Sequence, residues 1–231
     1  SLVDFQRIFW WEWIHRLLGR VVGLVFLVPL AFFALRKQLE PWLVRRSVVA
    51  ALLIAFQGLL GWLMVKSGLV DEPAVSHFRL AAHLVAALAT LAYSSFTALR
   101  ASTNVNPIEL GRASVAWAFL ILLFVQIIWG AFVAGLKGGL MYATFPTMEG
   151  YWIAPEVTRG GLSGLFIQAA GVQWVHRWFA VLVLVFGLGM TLWARTQKPL
   201  RSPANALVLA LMAQFALGIV TVLWFYRWPV V

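Results

Sequence analysis

The chain has 231 residues, of which 62% are hydrophobic and 11% charged, with no cysteine and a formal charge of +10; its mean hydropathy is +0.88. That composition excludes an ordinary water-soluble domain and describes a protein whose solvent is mostly lipid. The missing cysteines exclude disulfides, thiolate catalysis and thiolate metal ligands, and the basic residues lie in short connections where they set membrane orientation rather than bind nucleic acid.

Crossing a hydrocarbon core of about 30 Å takes about 20 apolar residues in a helix, and six runs qualify: 14–35, 47–66, 79–100, 113–136, 172–194 and 205–226. The expected fold is an all-α, polytopic membrane helical bundle. The first span opens on "WWEWIHR", residues 10–16, which places Glu12, His15 and Arg16 within about one turn. Gly19 and Gly23 follow His15 at i+4 and i+8, so the ligand candidate and two small residues share a face. The connection after it carries Arg36, Lys37, Arg45 and Arg46 against Glu40, and is expected on the cytoplasmic or matrix side.

The second span carries Gln57 and Gly61; the connection beyond it balances Lys66 and Arg79 with Asp71 and Glu72 and is expected outside, with His77 solvated there. The third span holds His83, with Arg79 one turn outward and Ala87 one turn inward. The fourth carries Gln126 and Gly130, then "GLKGGLMYATFPTMEGYWIAP", which reads as an irregular outer loop with an interfacial stretch. "QWVHR", residues 173–177, opens the fifth span with His176 and Arg177, followed by Ala180, and the sixth carries Gln214 and Gly218. Most of the thirteen tryptophans sit at span ends as interface anchors. Gln57, Gln126 and Gln214 are expected to hydrogen-bond between helices.

An internal duplication ties these motifs together. Trp13-x-His15-Arg16 and Trp174-x-His176-Arg177 lie 161 positions apart, and the Gln57/Gly61 and Gln214/Gly218 pairs lie 157 apart. On that offset a counterpart of His83 is expected near position 240, past the last residue here, and a counterpart of the fourth span before residue 1. The expected whole is two pseudo-symmetric four-helix bundles, six of whose spans lie here: residues 1–105 as the N-terminal half and 106–231 as the C-terminal half.

Ionisable groups within spans are expensive and therefore functional candidates. Three histidines at comparable depth, two of them in duplicated sequence, suit paired axial imidazoles on haem iron better than a zinc or di-iron site. Arg16, Arg177 and Arg79 suit anionic propionates, although each also suits snorkelling to the interface. Glu12 faces Gln173 across the duplication, so one half has a carboxylate beside its histidine where the other has an amide. This points to one reactive and one redox site, unless Glu12 only pairs with Arg16 or Arg7.

"FWWEWIHRLLGRVVGL", "FQGLLGWLMVKSGL", "FRLAAHL", "GAFVAGLKGGLMYATFPTMEG" and "VQWVHR" together resemble the haem A synthase family in its cysteine-free form. The resemblance implies oxidation of the C8 methyl of haem O to a formyl group by successive hydroxylations, giving haem A for cytochrome oxidase. It implies that His15 and His83 flank the substrate haem, with Glu12 the catalytic carboxylate and Arg16 and Arg79 at the propionates. His176 and Arg177 would bind haem b together with a histidine beyond this chain. Implied surroundings are a bacterial inner membrane, or the mitochondrial one, with the histidines toward the outer side, a haem O synthase, an electron donor, and a possible homo-oligomer. The family's usual run of phenylalanine, glutamate and asparagine before the second motif is replaced by "GLFIQAAGVQ", which changes contacts of the 137–171 loop. A dihaem electron-transfer cytochrome b would explain the histidines and the duplication equally well, but not Glu12 or the loop; a transporter with parallel repeats would predict helices broken near the midplane.

Overall fold

A computed structural model describes residues 2–68, 76–102 and 113–225. It contains α1 (Leu2–Leu35), α2 (Pro41–Gly68), α3 (His77–Ser102), α4 (Ala113–Gly135), α5 (Pro155–Arg159), α6 (Gly161–Ile167), α7 (Ala169–Ala194) and α8 (Arg201–Phe225). Among the described residues the only strand-like feature is an isolated bridge between Met148 and Tyr151. The fold is all-α, and α1, α2, α3, α4, α7 and α8 are each long and apolar enough to span a bilayer. Each expected run falls on one of them, because a helix alone satisfies its own backbone in hydrocarbon.

The stops are local. Lys37 takes a left-handed φ of 54°, and Lys37 N–H donates to Ala34 C=O while Gln38 N–H donates to Phe33 C=O, at 3.0 Å each. This is the double bond that closes a helix C-terminus, and Pro41, preset for a first turn, then opens α2. Past the end of α4 the same device recurs with Lys137 at φ 52°, its N–H donating to Ala134 C=O.

The described residues form two compact units, one of α1, α2 and α3 from Ala82 onward, the other of residues 76–81 with α4 to α8. In the first, α1 packs along α2, and apolar side chains such as Leu24 and Val25 on α1 are left exposed, as a lipid-facing surface requires. In the second, α7 is central and packs against α4, α6 and α8. It is buried all round at its start, from Ala170 to Gln173, whereas further along Val183, Gly187 and Thr191 recur every four positions and so form one face.

Between α4 and α7 the chain builds an outer cap over a core of Tyr142, Met148, Ala154, Val157 and Ala170. Glu149 and Gly150 both have positive φ, 51° and 92°, the conformation of a tight reversal between Met148 and Tyr151. α6 meets α7 so closely that a Cβ on Gly171 would overlap the Gly164 carbonyl group, whose carbon would lie at 2.7 Å. Backbone cannot move aside as a flexible side chain can. Gly171→Ala is therefore expected to destabilise this unit by about 1–3 kcal/mol through overpacking, a drop of roughly 2–4 °C in Tm per kcal/mol. Thermal melting in detergent checks it against Gly139→Ala, whose new Cβ would meet nothing within 4 Å.

Candidate functional site

In the first unit the α1 motif places Arg16 Nη2 2.8 Å from Glu12 Oε2, one turn apart, each side chain about half exposed (49% and 55%). His15 lies between them in sequence, three residues after Glu12. His83, half-buried on α3, is gripped from α2: Gln57 Nε2 donates to the His83 backbone carbonyl at 3.2 Å. A Cβ on Gly61, one turn along from Gln57, would lie 3.5 Å from His83 Cε1. Arg79, four residues before His83 on α3, is exposed.

The second unit repeats the arrangement with other helices. From α4, Gln126 Nε2 donates to the His176 backbone carbonyl at 3.1 Å and lies 3.0 Å from His176 Nδ1. A Cβ on Gly130 would come within 3.0 Å of His176 Cε1. Sequence reasoning expected these glutamines to bond between helices; it did not foresee that each would hold a candidate ligand histidine. The signal lay in the shared Gln-x-x-x-Gly spacing.

Arg177 follows a different course from its expected place beside a propionate. It is 6% exposed, and its two terminal nitrogens donate to the carbonyls of Tyr142, Thr144 and Thr147. Gln173 Nε2 joins it on Tyr142 C=O at 3.0 Å, and Trp174 Nε1 donates to Trp152 C=O at 3.0 Å. Three residues of the second motif thus hold the cap. His77, expected in solvent, instead starts α3, with its Nε2 3.1 Å from Phe166 C=O and its ring edge-on to Phe132.

The residues present fit a haem. Among the described residues His83 Nδ1 and the Oε1 atoms of Gln57 and Gln126 are buried without a hydrogen-bond partner, so polar valence remains around both histidines. A Cβ on Gly19 or Gly23, one and two turns along from His15, would meet nothing within 4 Å, which leaves that face clear for a flat macrocycle. Neutral imidazoles from facing helices are the donor type that axial iron ligation uses.

Residues 1–230 match the family described as COX15-CtaA, cytochrome oxidase assembly protein. A relative from Flavobacterium johnsoniae named heme A synthase is 40% identical over 97% of this chain and 68% of its own length. Another of that name, from Maricaulis maris, is 43% identical over 96% of this chain and 67% of its length. The chain belongs to the haem A synthase family. A third relative so named, from Parvibaculum lavamentivorans, is 42% identical over 97% of this chain and 66% of its length. No solved structure matches.

In this haem A synthase family member, the cap beyond the second motif carries its own acid–base pair. Tyr142 Oη donates to Glu156 Oε2. Burial, then this bond to a carboxylate, pushes the Tyr142 hydroxyl up from 10.0 to about 12. Receiving that bond holds Glu156 below the usual carboxylate value, with Arg159 nearby adding to the effect. The signs follow by linkage. The raised tyrosine stabilises the cap fully below pH 10.0 and loses that contribution as pH rises toward about 12, while the depressed carboxylate contributes above 4.5 and loses it as pH falls through its lowered value. Of the four tyrosines, the one ionising last in an ultraviolet titration is expected near 12, and Tyr142→Phe is expected to remove that step alone.

Proposed function

We propose that the chain acts as a haem A synthase, oxidising the C8 methyl of haem O to a formyl group by successive hydroxylations. The observation that carries the reading is the first unit's motif: Glu12 and Arg16 in contact at 2.8 Å on α1, with His15 between them in sequence and His83 held on α3 by Gln57 at 3.2 Å. Membership of a family whose relatives are named for this activity supports it.

In this reading His15 and His83 would hold the substrate haem, and Arg16 and Arg79 would bind its propionates, which guanidinium groups suit. Glu12 holds or passes a proton at its carboxylate, and the Arg16 contact keeps that carboxylate oriented. His176 is the proposed ligand of haem b in the second unit. Arg177 would serve that site by fixing residues 142–147, since its terminal nitrogens already hold their carbonyls. Haem b, when bound, supplies a one-electron relay. The relay needs an electron donor, and a haem O synthase would deliver the substrate.

The positive connections containing Arg36, Lys37, Arg45 and Arg46, and Arg195, Lys198 and Arg201, support a cytoplasmic or matrix placement in an inner membrane, with the histidines toward the opposite side. Co-production with a haem O synthase, followed by extraction and chromatography of membrane haem, tests the activity. Haem A or its hydroxylated precursor is expected from the wild type. Glu12→Gln is expected to reduce the yield by roughly 10²–10⁴-fold, the usual contribution of a positioned acid–base group. Normal haem A from folded Glu12→Gln protein would remove Glu12 from the chemistry. Unmodified haem b alone in the wild type would make the protein an electron-transfer cytochrome.

A further inference from the structure

We propose that Gln57 and Gln126 are positioning residues that set the tautomer and ring orientation of His83 and His176. The inference rests on the reading of these histidines as haem ligands.

Two separate pairs of helices, α2 with α3 and α4 with α7, carry the same construction. In each, a glutamine donates its amide nitrogen to the backbone carbonyl of the histidine, at 3.2 Å for Gln57 and 3.1 Å for Gln126. A carbonyl accepts and never donates, so only the nitrogen end of the amide can stand there. That fixes which way round the amide lies, a choice that otherwise has to be assigned. The oxygen end then has one remaining role, to accept a hydrogen bond.

In both copies that oxygen is buried with no donor, and His83 Nδ1 is likewise buried without a partner. In the second copy the amide nitrogen lies 3.0 Å from His176 Nδ1 and 3.4 Å from its Nε2, so the ring there faces the donor end of the amide and must turn before Nδ1–H can meet the acceptor end. A ring that ligates through Nε2 must carry its proton on Nδ1, and that N–H needs an acceptor. Lipid supplies none. On this proposal each imidazole turns, when it ligates, so that Nδ1–H meets Oε1 and one amide holds both the backbone and the ring of its histidine. Nε2 is then left with its lone pair free.

The glycine four residues on makes the space. A Cβ on Gly61 would be in ordinary contact with the His83 ring at 3.5 Å, whereas one on Gly130 would crowd His176 Cε1 at 3.0 Å. Interhelical glue would also use a glutamine, but glue has no reason to choose the backbone carbonyl of a histidine in both copies.

The test uses the protein purified from membranes with its haem bound. Gln57→Met and Gln126→Met keep side-chain length and remove both hydrogen-bonding ends. Two readouts are taken: haem loss to excess apomyoglobin, and the g values of the low-spin ferric signal, which report the orientation of the axial imidazoles. His83→Ala and His176→Ala are measured in parallel. Each methionine variant is expected to weaken haem retention roughly 10- to 100-fold, the usual effect of losing a ligand's hydrogen-bond partner, and to shift the g values. Wild-type retention and g values in both methionine variants, with haem lost from the alanine variants, would overturn the positioning role and leave the ligand reading intact. Unchanged haem in the alanine variants would overturn the ligand reading itself. Should the methionine variants not fold, Gly130→Ala decides: it is expected to shift the signal, while Gly58→Ala, whose Cβ would meet nothing within 4 Å, is not, and identical signals from the two would overturn the proposal.

Discussion

A polar side chain inside a bilayer has only protein to satisfy it, since lipid neither donates nor accepts a hydrogen bond. The two units are arranged around that constraint. A histidine on a spanning helix brings two ring nitrogens into the apolar layer and needs a close polar neighbour on a facing helix. Gln57 on α2 and Gln126 on α4 each reach the histidine's own carbonyl, Gln126 also lying 3.0 Å from His176 Nδ1, and the glycine one turn away lets the ring lie against the helix. The helices must approach at these points, so the ligand candidates and the packing of the units are fixed by the same few residues.

The same constraint operates at the outer end of the second unit, where a long irregular segment leaves the helix and its carbonyls lose their helical partners. Donors from the spans replace them: Arg177, Gln173 and Trp174 on α7, Trp129 on α4 toward Leu165 at 3.1 Å, and His77 on α3. Hydrogen bonds from a charged group contribute about 1.5–3 kcal/mol each, so Arg177 is the strongest single tie. A motif that joins a ligand candidate to cap-holding side chains links the conformation of the cap to the position of His176. The Tyr142–Glu156 bond then closes the cap on itself.

The spans were legible because hydropathy over about 20 residues is a strong signal, and Lys37 and Lys137 mark where two of them end. His15, His83 and His176 stood out because ionisable residues are so rare in such runs. What spacing could not convey was which helices face each other. The duplication pairs Gln57 with Gln214, yet in the fold Gln57 serves His83 and Gln126 serves His176. Gly218 shares the spacing, and a Cβ there would meet nothing within 4 Å. Arg177 is a related case: a guanidinium suits a propionate and a row of backbone carbonyls equally well, and only the path of the 142–147 segment reveals that those carbonyls are within its reach. His77 looked solvated because its sequence neighbours are polar, whereas Gly135 gives it room against α4.

The central claim is that the two units hold different haems for different purposes, a substrate in the first and a redox cofactor in the second. Haem extracted from purified His15→Ala and His176→Ala proteins, separated by chromatography and counted per protein chain, tests it most directly. The account predicts that His15→Ala loses haem O and haem A but keeps haem b, and that His176→Ala loses haem b and keeps the substrate haem. Equal loss of one common haem from both variants would contradict it.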